Sequence, residues 1–164
     1  NIFHGGSERW LQMKIALNFV SHGWQVNTNI FCEPKYTSTV GNADILVSLK
    51  NSSIKEYFVL ELKVTGRSTK INPVLGDLFK IWKQPTLQPE SGNPKIVKPQ
   101  HGGFILFIDE RLGFDAKVIR NQIVDYFHQQ SGVGKGDIDH QIRQTSISFK
   151  GVNFTILSVY KHYF

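Results

Sequence analysis

The chain predicts an α/β fold, a central mixed β-sheet flanked by helices, and three observations carry that expectation. The segment Tyr57-Phe-Val-Leu-Glu-Leu-Lys-Val64 is, apart from Glu61 and Lys63, apolar on both faces of an extended strand, as a central strand covered on each side should be. A second continuous apolar run at residues 104–108 reads as another buried strand, and a helical pattern lies between the two. Apolar residues also recur at helical spacing near residue 8 and after residue 115, so the order reads helix, three strands, helix, strand, helix, strand.

Taken in order, Ser7 can cap a helix over residues 8–21, with Trp10, Met13, Leu17 and Val20 on one face and Gly23 ending it. Leu11, Ile15 and Phe19 widen that stripe, so the helix is expected to pack closely. Trp24, Val26, Thr28 and Ile30 alternate as a first strand, residues 33–42 read as polar loop, and residues 43–49 read as a second strand. Asn51-Ser-Ser turns the chain into the third strand, Tyr57–Val64. Residues 65–72 form a loop. Pro73 suits a helix start, with Leu75, Leu78, Phe79 and Trp82 apolar over residues 74–84, and Pro85 stops it. Residues 85–102, rich in proline, read as a long exposed loop. Asp115 can cap a helix through residue 130 with Val118, Ile119, Ile123 and Phe127 facing inward. Residues 131–139 are glycine-rich and charged, and residues 147–160 form one or two strands that can turn as a hairpin around Lys150-Gly151.

At 164 residues the chain reads as one domain, and its start at Asn1 rather than Met leaves room for a longer parent protein. A hydrophobic share of 40% is globular, not disordered. The net charge of +6 favours a polyanion partner, most simply nucleic acid. The lone Cys32 excludes an internal disulfide framework and suits a reducing, intracellular setting, cytoplasmic or nucleoid-associated. No signal peptide or membrane span is visible.

Glu61 and Lys63 carry the chemistry. In the third strand they share a face with Val59, and burying a carboxylate and an ammonium costs several kcal/mol per ion unless something compensates. The triplet alone is cheap: Glu33-Pro-Lys35 and Asp115-Ala-Lys117 have the same form, but neither lies in a buried-strand pattern. Asp44 heads the neighbouring strand, and antiparallel pairing brings it near Glu61. Two carboxylates with the backbone carbonyl of Leu62 make an all-oxygen site suited to Mg²⁺, with Mn²⁺ able to substitute. Lys63 on the same face can orient water or offset charge in a phosphoryl transition state, which suits in-line hydrolysis of a phosphodiester.

These residues resemble the PD-(D/E)xK nuclease superfamily over residues 7–108: Glu8 in the first helix, Asp44 at a strand head, Glu61-Leu-Lys63 in the next strand, then a helix carrying Asp77, Lys80, Lys83 and Gln84. Ala43 stands where the proline of the motif would be. The resemblance implies a restriction-endonuclease-like αβββαβ core, Mg²⁺ on Asp44 and Glu61, Lys63 as catalytic lysine and Glu8 assisting the metal. It also implies an endonuclease acting on DNA in restriction, repair, recombination or defence. A non-catalytic nucleic-acid-binding module and an RNA-cleaving effector on the same scaffold stay open, as do a homodimer and further domains. Arg67, Lys70, Lys80, Lys83 and Gln84 are the candidate phosphate contacts, with Lys95 and Lys98 as further loop charges; a solvated surface is the plain alternative for each. Glu8 has its own plain alternative, a first-turn carboxylate favoured by the helix dipole. Gly132-Val-Gly-Lys-Gly136 lacks the first glycine and the Ser or Thr of a phosphate loop, and the tryptophans 10, 24 and 82 read as core.

Overall fold

The computed structural model describes residues 7–28, 34–37, 39, 41–49, 55–67, 69–90 and 92–163. Its helices are α1 (Ser7–Ser21), α2 (Ile71–Trp82), α3 (Ala116–Ser131) and α4 (Lys135–Gln141). Its strands are β1 (Trp24–Thr28), β2 (Lys35–Tyr36), β3 (Ile45–Leu49), β4 (Tyr57–Val64), β5 (Leu87–Gln88), β6 (His101–Ile108), β7 (Arg143–Phe149) and β8 (Val152–His162). Six strands form a mixed sheet in the order β1-β3-β4-β6-β8-β7, in which β4 and β6 run parallel and the other pairs antiparallel. Strands β2 and β5 make a separate small sheet.

The alternation of β4 separates two cores. Leu60 and Leu62 join Ile45, Val47 and Ala16 beneath α1. On the opposite face, Val59 joins Leu46 and Ile81 beside the small sheet, while Phe104, Leu106 and Ile108 of β6 pack on α2, α3 and α4. A strand flanked on both edges and covered on both faces has nowhere to solvate a charge. Glu61 is nonetheless only 3% exposed.

Several sequence expectations need correction. Trp10, Leu17 and Val20 of α1 are 59%, 55% and 54% exposed, and the helix instead turns Gln12 and Ala16 to the sheet, with Ile15 and Phe19 half-buried. Apolar residues surround this helix, so spacing alone could not choose its inner face. Val118 is likewise exposed, and Val124 takes its place inside. Helix α2 starts at Ile71, two residues before Pro73; proline is tolerated there because first-turn N–H groups have no helical acceptor.

Strand β6 starts at His101, inside the stretch read as loop. Its glycines hid it, and they are there for space: a Cβ on Gly103 would stand 2.7 Å from the Val159 carbonyl oxygen, and one on Gly102 would strike Tyr163. The same stretch holds β5, and the loop before residue 43 holds β2. The glycine-rich segment after residue 131 holds α4, anchored by buried Ile138, with Gly132 closing α3 in the left-handed conformation. The expected hairpin is present, with Lys150 and Gly151 at φ 49° and 74° as a tight turn between right-twisted strands requires. Asp115 caps α3 by accepting from the Lys117 and Val118 amides at 2.8 and 3.3 Å. Ile30 and Cys32 lie outside the described residues.

Candidate active site

The β3–β4 register pairs Ile45 with Leu60, which sets Asp44, one residue earlier, level with Glu61. Both carboxylates sit on the α2 side of the sheet and both are buried, Asp44 to 5% exposure. Asp44 Oδ2 accepts a hydrogen bond from the Leu62 amide at 2.7 Å. Its backbone carbonyl accepts from Gln12 Nε2 at 2.5 Å, a tie between α1 and the strand head.

Glu61 lies between two donors. Tyr36 Oη donates to Oε2 at 2.9 Å, and Lys63 Nζ stands 3.0 Å from Oε1. Lys63 also reaches Asp77 Oδ2 of α2 at 3.4 Å, and Asp77 Oδ1 accepts from Lys80 Nζ at 2.9 Å. Glu8 Oε2 accepts from the Val64 amide at 3.3 Å, which brings the first turn of α1 to the end of β4. The structure therefore gathers Glu8, Asp44, Glu61 and Lys63, and it places Lys80 at the margin.

Charge and burial set the proton affinities. Burial raises the Asp44 carboxyl above its ordinary value, and Glu8 and Asp77 push it further up, while Lys63 and the Leu62 amide oppose them. Burial raises Glu61 as well, with the Asp44 charge adding to it against Lys63 and Tyr36. For Lys63 burial works against the charge, but Glu61, Asp44, Glu8 and Asp77 outweigh it, and the ammonium is held protonated. Tyr36 is raised well above its ordinary value by burial and by Glu61, so it remains a donor. Four carboxyl groups thus face two ammonium groups, Lys63 and Lys80, an excess of two negative charges when all are ionised.

That excess matches the charge of one divalent cation, and carboxylate oxygens are the ligands a hard ion prefers. Each Glu61 oxygen holds one hydrogen-bond or ionic partner and retains capacity for a second, as carboxylate oxygens have two lone pairs. The donor chemistry fits Mg²⁺ on Asp44 and Glu61. Among the described residues, no group of three or more His, Cys, Asp and Glu side chains converges as a ready-made cage. A cation here would complete its shell with backbone oxygen, of which the Leu62 carbonyl is the sequence-derived candidate, and with water.

Sequence reasoning assigns no site role to Tyr36, Gln12 or Asp77. Gln12 leaves a trace, as a polar residue inside an otherwise apolar helical stripe; it is 1% exposed. Tyr36 sits in a stretch that reads as loop and gives no signal. Of the candidate phosphate contacts, Arg67 and Lys70 are exposed at the entry to α2, Lys83 is exposed at its end, and Gln84 donates to the Pro99 carbonyl at 3.0 Å. The structure does not bring these four to the carboxylates. No helix among the described residues is long and apolar enough to cross a membrane. No family model matches this chain, and no curated protein or solved structure shows significant similarity to it.

Proposed function

We propose that this protein is a Mg²⁺-dependent nuclease, most simply an endonuclease hydrolysing phosphodiester bonds of DNA. The observation that carries the reading is the pair Asp44 and Glu61, buried side by side across β3 and β4 with raised proton affinities and Lys63 beside them. Structural ion pairs are seldom kept in this state, because two buried like charges with one buried counter-charge destabilise the fold. A pair retained against that cost points to a ligand. The likeness of Glu8, Asp44, Glu61 and Lys63 to the PD-(D/E)xK pattern, and the net charge of +6, agree with a phosphodiester substrate.

Asp44 and Glu61 would hold the ion, with Glu8 contributing directly or through water. When bound, such an ion polarises a phosphoryl oxygen and lowers the pKa of a coordinated water. The chain's own residues do the rest. Tyr36 and Lys63 fix the Glu61 carboxylate, and the Leu62 amide fixes that of Asp44. Lys63 stays protonated among its carboxylates, so its part is to donate hydrogen bonds to a non-bridging oxygen and offset transition-state charge, not to act as a general base. Asp77 holds Lys63 from the helix side, which limits where its ammonium can point.

Incubation of supercoiled plasmid with the protein and Mg²⁺ tests this: nicking or cutting that EDTA abolishes is the expected result. Binding without cleavage under Mg²⁺ or Mn²⁺ would leave the non-catalytic binding module instead. A single-stranded RNA substrate run in parallel separates a DNA nuclease from an RNA-cleaving effector.

A further inference from the structure

A cavity of about 860 Å³ lies beyond the C-terminal end of α2, where that helix meets the loop after it and the end of β8. Its lining includes Lys80, Lys83, Lys98, Lys161 and His162 and, among the described residues, contains no acidic one. Among the described residues, no carboxylate stands within ion-pair distance of Lys83, Lys98 or Lys161, whereas both site lysines, Lys63 and Lys80, are paired. Lysines that no described carboxylate answers favour an external anion.

Trp82 supplies an independent sign. It lines the cavity, it is only 8% exposed, and its indole N–H is buried with no hydrogen-bond acceptor among the described residues. Buried donors in folded proteins nearly always have partners, and one that lacks them is costly to keep. Lys161 lies over the same ring, with Nζ 4.4 Å from its centroid, and donates to Gln141 Oε1 at 3.0 Å. Burial lowers the proton affinity of that ammonium, a cost that an anion would offset. Phe79 stacks on Trp82 at 5.8 Å between centroids and Phe127 packs at 5.3 Å. With its ring occupied by these neighbours, Trp82 leaves no free face for stacking a base.

We propose that this cleft binds the phosphate backbone of a polynucleotide, seating phosphates that neighbour the one presented to Asp44 and Glu61. The choice of ligand rests on the nuclease reading; the anion-binding character rests on the cleft alone. Lys80 joins the two regions, because it lines the cleft and also pairs with Asp77, which holds Lys63. From Asp77 to Lys83 is six residues along α2, roughly 9 Å at the helical rise, a span of two or three nucleotides of duplex. The volume exceeds what one phosphate fills and lies near the upper end for ligand sites. Phosphate contacts of this kind position a strand without reading its sequence.

Binding of a fluorescent oligonucleotide in EDTA, where no divalent ion loads the carboxylates, tests the cleft separately from the chemistry. The double variant Lys83→Gln/Lys98→Gln changes exposed side chains and should bind several-fold more weakly, with a salt slope shallower by about one to two units. Lys161→Gln should act in the same direction. In a proton–nitrogen spectrum the Trp82 indole resonance, identified from its loss in Trp82→Phe, should shift as oligonucleotide is added. Wild-type affinity and slope in the double variant, or an unmoved Trp82 resonance, would overturn the proposal. So would a nucleoside monophosphate that binds as tightly as an oligonucleotide, since the cleft would then hold a single phosphate and not a chain. Cleavage in Mg²⁺ with an unaffected double variant would remove the cleft and spare the nuclease; weakened binding with no cleavage by the wild type would do the reverse.

Discussion

Removing one negative charge from the buried pair should flatten the protein's response to pH and abolish its response to divalent ions. In the metal-free chain the Asp44 carboxyl is pushed up to about 6 and the Glu61 carboxyl to about 8, from ordinary values near 4. A group that holds its proton more tightly when folded makes the folded state bind more protons than the unfolded one. Stability is then greatest below the ordinary carboxylate range and falls as pH rises toward the raised values. Lys63, raised as well, keeps its contribution below its ordinary value near 10.5 and so does not alter this window. Both shifts act in the same direction, so the metal-free pair weakens the fold as pH rises from 4 to 8.

A cation on Asp44 and Glu61 would offset that loss, and at a concentration 100 times its dissociation constant it would add about 2.7 kcal/mol. For a domain of this size that is a rise in Tm of roughly 5–10 °C. Differential scanning calorimetry with and without Mg²⁺ or Ca²⁺, at pH 6 and pH 8, should show a larger rise at pH 8, where protons compete less. Asp44→Asn preserves an acceptor for the Leu62 amide and removes the charge; it should flatten the pH dependence and abolish the metal-induced rise. An equal rise in Asp44→Asn, or stability that climbs from pH 4 to pH 8 without metal, would refute the reasoning.

Other substitutions probe separate parts of the account. Glu61→Gln or Lys63→Ala should lower plasmid cleavage by about 100-fold or more while oligonucleotide affinity, read by anisotropy, changes little. Tyr36→Phe removes the donor to Glu61 Oε2 and should weaken metal affinity by about 10-fold, measured by calorimetric titration, with a stability loss near 1 kcal/mol. Gly103→Ala sets a Cβ 2.7 Å from the Val159 carbonyl and should destabilise the β6–β8 ladder by about 1–3 kcal/mol in urea unfolding, without touching the carboxylates.

The sheet's centre was legible because residues 104–108 of β6 are apolar without interruption and β4 is apolar but for Glu61 and Lys63, which stood out against that background. Asp44 could be placed to within a residue or two by strand pairing, and the actual register sets it level with Glu61. What stayed hidden depends on contacts distant in sequence. Tyr36 reaches Glu61 only because a two-residue strand pairs with another after α2, and elements so short leave no periodic trace. The inner face of α1 is decided by the sheet that receives it, since Trp10, Leu17 and Val20 are as apolar as the residues that pack. The cleft beside Trp82 joins lysines from α2, the loop after it and β8, separated by up to 81 positions from Lys80 to Lys161, and only the fold brings them together.

The central claim is that two carboxylates on neighbouring strands share one divalent cation, and anomalous diffraction from a crystal soaked in Mn²⁺ measures that directly. A single strong peak within about 2.2 Å of oxygens from both Asp44 and Glu61 is the result the account predicts. Density that binds elsewhere, or a well-ordered crystal in which Lys63 alone occupies the space between those side chains at saturating Mn²⁺, would contradict it.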